Sequence, residues 1–303
     1  MEIGLHMPQV GPLATREGLT TFAQLAEERD FDSLWVSDHV IIPRTITSRY
    51  PYSADGSFSI PPDVPFLEPL AALLFVAGVT KQVKLGTTIL VVPMRNPVVT
   101  AKMLSTLDVL SDGRLILGAG AGWMAEEFEM LEVPFEQRGA RLDDYLQLIM
   151  ALWTEDNPSF NGRFYKIDEV GFSPKPVQKP HPPVWIGGHS KPALRRAGRF
   201  ADAWHAAYVG PELLKQQFAQ VREYAEQAGR DPQSVELTVR TRLPLNHPDQ
   251  AIAQIEVCRE IGVTHLVTEA LASDMDRTRA LLDTLANDVL PKALATGARA
   301  IVQ

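Results

Sequence analysis

The chain has 303 residues, 45% of them hydrophobic, which is ample for a sizeable core and suits one barrel domain spanning residues 1–303. Its formal net charge is -8, from 37 acidic and 29 basic residues, and no run of Lys or Arg stands out, so a nucleic-acid partner is not expected. Cys258 is the only cysteine, which excludes an intrachain disulfide and suits a reducing cytoplasm; it sits on the apolar face of a helical stretch and reads as inert core.

Residues 3–7 read as a strand and 17–29 as a helix. The next strand is 33–37. Residues 67–79 are helical, 83–92 are β-rich, 98–110 are helical and 115–119 are extended. A helix is expected over 138–153, a strand over 183–186 and a helix over 191–199. Residues 202–206 are extended and 211–228 helical. Strands at 235–243 and 264–268 flank a helix over 248–261, and a last helical stretch begins near Asp274. That makes eight strands, each followed by a helix. Connections of helix length demand parallel pairing, and eight such units favour a closed (β/α)8 TIM barrel over an open doubly wound sheet. Residues 1–6 lack the basic-then-apolar order of a signal peptide. The longest apolar segment, near residues 67–80, carries Glu68 and Pro69 and falls short of the roughly 20 apolar residues of a membrane span.

Two segments interrupt the pattern. Residues 42–66 form a long insert after strand 2, rich in Pro, Ser and Tyr. Tyr50, Tyr52 and Phe58 make it a packed lid rather than a spacer, at the barrel end where active sites form. Residues 157–183, before strand 5, contain Asn161-Gly162-Arg163-Phe164-Tyr165, a hairpin signal.

Four groups of residues could carry chemistry. Asp38 and His39 emerge at the C-terminal end of strand 2, where an imidazole can move or polarise a proton and a carboxylate can accept hydrogen bonds. The bland alternative is a turn cap beside a structural histidine. Gly187-Gly188-His189-Ser190, between a strand and a helix, offers close backbone approach and free N–H groups for a phosphate, or is simply a tight turn with a helix cap; phosphate sites in barrels more often follow strands 7 and 8. Gly118-Ala119-Gly120-Ala121-Gly122 lacks the spacing of a dinucleotide fingerprint and reads as a small-residue strand end with room for a flat ring or ribityl-like chain. Thr87 and Thr88 are strand core that could offer hydroxyls at the mouth. The seven histidines show no H-x-H or H-x-x-x-H spacing, so no metal is expected.

Taken in order, these motifs resemble the luciferase-like monooxygenase superfamily of flavin and deazaflavin oxidoreductases. The resemblance runs from Gly4 to about Asp231. It rests on Trp35 through His39, Arg49-Tyr50-Pro51-Tyr52, Leu85 through Thr88 with Pro93 and Asn96-Pro97, Leu107 through Arg114, Leu117 through Gly122, Pro174-Lys175-Pro176, and Trp185 through Gly188. It implies a planar tricyclic cofactor at the C-terminal mouth, either the deazaflavin coenzyme F420 or FMN. Asp38 and His39 would lie beside the ring, with His39 polarising it or passing a proton. A non-proline cis peptide at Thr88–Ile89 would buttress the ring, Gly120 would flank it, and Gly187, Gly188, His189 and Ser190 would form the phosphate turn. The fine pattern is similar to the deazaflavin branch. It departs from sugar-phosphate dehydrogenases of the superfamily, which carry a glutamate where this chain has Trp123, with Glu126 and Glu127 further on. Trp123, Tyr50 and Tyr52 instead suggest an apolar or aromatic substrate pocket, or plain lid packing.

The leading expectation is a cytoplasmic oxidoreductase that transfers a hydride between a deazaflavin and a small organic substrate. An FMN-dependent monooxygenase fed by a partner reductase, and a non-catalytic flavin-binding protein, are the alternatives; an aldolase or metal hydrolase stands well behind. A homodimer is expected from the resemblance and from the apolar helix at residues 69–79.

Overall fold

The structure, a computed structural model, describes residues 1–295. In chain order the elements are β1 (Glu2–His6), α1 (Arg16–Glu28), β2 (Ser33–Val36), α2 (Pro69–Ala77), β3 (Lys84–Thr87), β4 (Leu90–Val91), α3 (Pro97–Leu110) and β5 (Leu115–Gly120). There follow α4 (Ala125–Met130), α5 (Arg138–Thr154), β6 (Phe160–Asn161), β7 (Lys166–Ile167), β8 (Val184–Gly187), α6 (Lys191–Phe200) and β9 (Ala203–Ala207). The last are α7 (Pro211–Gln227), β10 (Glu236–Arg240), α8 (Pro248–Glu260), β11 (Val263–Thr268), α9 (Met275–Asp283) and α10 (Leu290–Ala295).

The parallel ladder runs β3-β2-β1-β11-β10-β9-β8-β5 and closes through β3–β5, an eight-stranded barrel as the alternation predicts. The helices start where their sequences allow. Proline stands in the first turn of α2, α3, α6, α7 and α8, where its missing N–H costs nothing. Asn96 and Ser190 cap α3 and α6 with side-chain oxygens. The expected hairpin forms as the antiparallel pair β6–β7.

Two local readings are corrected. The β-rich stretch 83–92 is not one strand: it breaks after Thr87 and resumes as β4, which pairs with β5. The short helix α4, with no apolar period of its own, was not foreseen and carries two glutamates of the site.

A plug of aromatic rings fills the barrel interior. Trp35 stacks on Trp185 at 4.7 Å and on His205 at 5.6 Å, and its Nε1 donates to Ser33 Oγ at 2.7 Å. Gly86 makes room for it, since a Cβ there would lie 2.3 Å from the indole. The larger core sits between sheet and helices. Most of the apolar face of α2 is spent there: Leu70, Leu73 and Val76 are buried, so a dimer contact through this helix would rest on the half-buried Leu74 and Phe75. Cys258 is buried, and burial pushes its thiol up to about 11, which fits inert core.

Candidate active site

His39 follows β2 at the C-terminal mouth. Its Nδ1 meets Glu127 Oε2 at 2.8 Å. The other oxygen of Glu127 accepts the backbone N–H groups of Val40 at 2.6 Å and Ile41 at 3.2 Å. With three groups pointing at it, the buried carboxylate acts as acceptor. Nδ1 therefore carries the hydrogen, and Nε2, which makes no hydrogen bond among the described residues, is left for chemistry. Sequence reasoning saw Glu127 only as a departure from the sugar-phosphate pattern.

Both carboxylate oxygens of Asp38 are engaged within the protein. Its Oδ1 accepts from Arg95 Nη2 at 2.6 Å, and its Oδ2 accepts from Val91 N at 2.8 Å and Arg95 Nε at 3.3 Å. The side chain is fully buried. Burial pushes the Asp38 carboxyl up, and the Arg95 charge with these hydrogen bonds opposes it. Arg95 also pairs with Glu68 at 2.8 Å. The physical reason is local: β4 starts beyond a kink, and its N–H at Val91 needs an acceptor that Asp38 supplies.

The kink is the Thr88–Ile89 bond, which is cis, as the resemblance implies. Thr88 Oγ1 bonds His205 Nε2 at 2.9 Å, so its hydroxyl faces the barrel interior. Ile89 projects over β5 and β8. A Cβ on Gly120 would lie 2.7 Å from Ile89 Cγ2, and one on Gly187 would lie 2.7 Å from Ile89 Cγ1. Ile89 thus occupies the room that side chains at these two glycines would need. Ile89 itself is partly exposed at the mouth.

Gly188 has φ of +108°, open to glycine and strained for other residues. Its carbonyl accepts from Trp204 Nε1 at 2.9 Å, which pins the turn. Ser190 caps α6, its Oγ accepting from Ala193 N at 3.4 Å. His189 Nδ1 bonds Gln217 Oε1 at 2.7 Å, while its Nε2 is shielded from solvent with no partner among the described residues. A groove of about 700 Å³ between α6 and α7 opens at His189 and Lys191. The backbone N–H groups at the capped N-terminus of α6 suit phosphate oxygens, and the His189 Nε2 lone pair is left to accept from a cofactor hydroxyl, so these residues fit a phosphate-bearing cofactor.

The insert folds over the mouth as an aromatic lid. Tyr50 meets Trp123 at 5.1 Å and Phe58 at 5.4 Å, and Phe58 meets His39 at 4.9 Å. Tyr52 is half exposed, edge-on to Tyr50 and 6.2 Å from His189. Glu126 anchors the segment by accepting from Thr47 N at 2.7 Å, Thr47 Oγ1 at 2.6 Å and Ser48 N at 2.9 Å. Burial opposes its charge, but the Thr47 and Ser48 hydrogen bonds outweigh that and hold the carboxyl near about 2. Trp123 is therefore brought to 6.1 Å from His39 with Tyr50 packed on it, whereas Tyr52 leans toward His189.

Several residues at the mouth were missed by sequence reasoning. Arg240 Nη1 donates to Ser37 Oγ and Thr88 O, both at 3.1 Å, and Nη2 to Glu269 at 2.9 Å. His6 Nε2 bonds Ser37 Oγ at 2.8 Å. Their position at strand ends was the available signal. Among the described residues no group of three or more His, Cys, Asp or Glu is placed to hold a metal, and no helix is long and apolar enough to cross a membrane.

The family model described as luciferase-like monooxygenase matches residues 4–292. The chain belongs to that family. Membership carries the enzyme class read from the sequence, a flavin- or deazaflavin-dependent oxidoreductase. Among the relatives of this luciferase-like chain is the F420-dependent glucose-6-phosphate dehydrogenase of Amycolatopsis mediterranei, 30% identical over 95% of this chain and 97% of its own length. An F420-dependent secondary alcohol dehydrogenase, solved with an F420-acetone adduct, superposes with a TM-score of 0.76 at 20% identity, covering 96% of this chain and 98% of that one. The FMN-bound oxygenating constituent of 3,6-diketocamphane monooxygenase from Pseudomonas putida gives a TM-score of 0.76 at 17% identity, with 96% and 98% covered. These two neighbours share the barrel.

Proposed function

We propose that this luciferase-like protein transfers a hydride between the deazaflavin coenzyme F420 and a small organic substrate at the C-terminal mouth of its barrel. The observation that carries the reading is the His39–Glu127 pair, which leaves Nε2 without a hydrogen-bond partner among the described residues, beneath the Phe58 and Trp123 rings of the lid. The relative named for F420, similar along nearly the whole chain, favours the deazaflavin over FMN.

When bound, the coenzyme supplies the two-electron chemistry, and the protein supplies binding, orientation and proton handling. Ser190 and the Gly188 turn would hold its phosphate, and His189 would accept from one of its hydroxyls. Ile89, backed by Gly120 and Gly187, gives a rigid apolar support. His39 Nε2 gives or takes the proton that accompanies hydride transfer, or polarises the ring, and Glu127 fixes the imidazole's tautomer and angle. Asp38 acts at one remove, by tying Arg95 and Val91 to the kink. Tyr50, Phe58 and Trp123 keep water from the reacting atoms.

The test is a single-turnover measurement of F420 oxidation or reduction with a panel of short alcohols, aldehydes and ketones. His39→Ala is expected to bind the coenzyme yet slow the hydride step by roughly 10²- to 10⁴-fold, the usual range for losing a positioned acid or base. Wild-type rates in that variant would remove His39 from the mechanism.

A further inference from the structure

Arg240, at the end of β10, and Arg242, two residues on, share one carboxylate. Arg240 Nη2 donates to Glu269 Oε1 and Arg242 Nε to Glu269 Oε2, each at 2.9 Å. Arg240 also reaches across to Ser37 and Thr88, at the strand ends that present His39 and Ile89. Neighbouring His6 adds no charge, because burial holds it down near about 3 and it stays neutral. Two guanidinium groups against one carboxylate leave this rim of the mouth positive, in a chain whose formal net charge is -8.

The cation is available. Arg242 is 84% exposed and Arg240 32%. Neither terminal nitrogen of Arg242 has a hydrogen-bond partner among the described residues, and the Tyr50 hydroxyl has none either; burial pushes that hydroxyl up, and the charges of Arg240 and Arg242 pull against it. The Tyr50 ring packs against Phe58 and Trp123. A fork of free guanidinium N–H groups matches a carboxylate or phosphate, and Glu269 holds the two arginines in register.

Resting on the function proposed above, we propose that the substrate is an apolar molecule with an anionic head group, its body against Tyr50, Phe58 and Trp123 and its head on Arg242 with Arg240 behind. Attraction at this rim also draws anions toward a mouth that the rest of an acidic surface would repel.

The experiment is calorimetric titration of the protein, with and without bound coenzyme, using three probes of one shape: 4-phenylbutyrate, 3-phenylpropyl phosphate and the neutral 4-phenylbutanamide. At least one anion should bind roughly tenfold or more tighter than the amide, as expected for a charge-assisted fork, and this advantage should shrink with added salt. Arg242→Gln should abolish the advantage and Arg242→Lys retain part of it. A gain confined to the carboxylate or to the phosphate names the head group, and either supports the proposal. Equal binding of anion and amide, no binding of any probe, or an undiminished advantage in Arg242→Gln overturns it. Arg242 is exposed, so the variant does not depend on refolding a core. Failure of the coenzyme to bind wild-type protein would overturn the hydride-transfer reading instead, and the anion-to-amide ratio is read separately from it.

Discussion

At the scale of single residues, the decisive contact is between His39 and Glu127. Replacing Glu127 by Gln keeps the shape but removes the carboxylate that holds the Nδ1 hydrogen and the ring angle. Turnover should fall about tenfold while coenzyme affinity stays close to wild type, within the range for a residue that orients a catalytic base. Wild-type turnover in Glu127→Gln would show that the carboxylate does not position the ring. The sequence marked His39 through its place at a strand tip, but not its partner 88 positions away on a six-residue helix. The partner of Asp38 was hidden for a related reason. That residue, Arg95, lies 57 positions on, beyond a chain kink that no local pattern sets. Arg95→Ala leaves that buried carboxylate without its cation and should cost about 3–5 kcal/mol, read by denaturant unfolding.

At the scale of elements, the strands and long helices were legible because their apolar periods and proline or side-chain caps are local signals. The break between β3 and β4 was named only through resemblance, since residues 83–92 read as one β-rich stretch. Gly120 and Gly187 were seen, but not their contact with Ile89, which meets them only in three dimensions. Gly120→Ala would push its Cβ into Ile89, which lies 2.7 Å away, and should destabilise by about 1–3 kcal/mol as overpacking does, with weaker coenzyme binding. Adding Ile89→Ala should recover part of the Gly120→Ala loss. Thermal unfolding of the single and double variants checks this, and strict additivity would deny the contact.

At the scale of the whole molecule, the barrel holds two neutral histidines in its polar interior. His6 and His205 are each held near about 3, chiefly by burial, against an ordinary value of 6.5. As pH falls through 6.5 the unfolded chain takes up these protons first, so stability is full above that value and erodes until pH nears 3. By pH 5 each should have cost about 2 kcal/mol. Tm should therefore drop between pH 7 and 5, and the drop should shrink in His205→Gln. A flat Tm across that range would contradict the neutral-histidine interior.

The most direct test of the account is a binding titration of the purified protein with F420 and FMN, side by side. Tight binding of F420 with FMN at least tenfold weaker, as a roughly 1.4 kcal/mol preference would give, is the predicted result. Tight binding of FMN alone would contradict the deazaflavin reading and direct attention to oxygen chemistry and a partner reductase, and binding of neither would leave only the barrel standing.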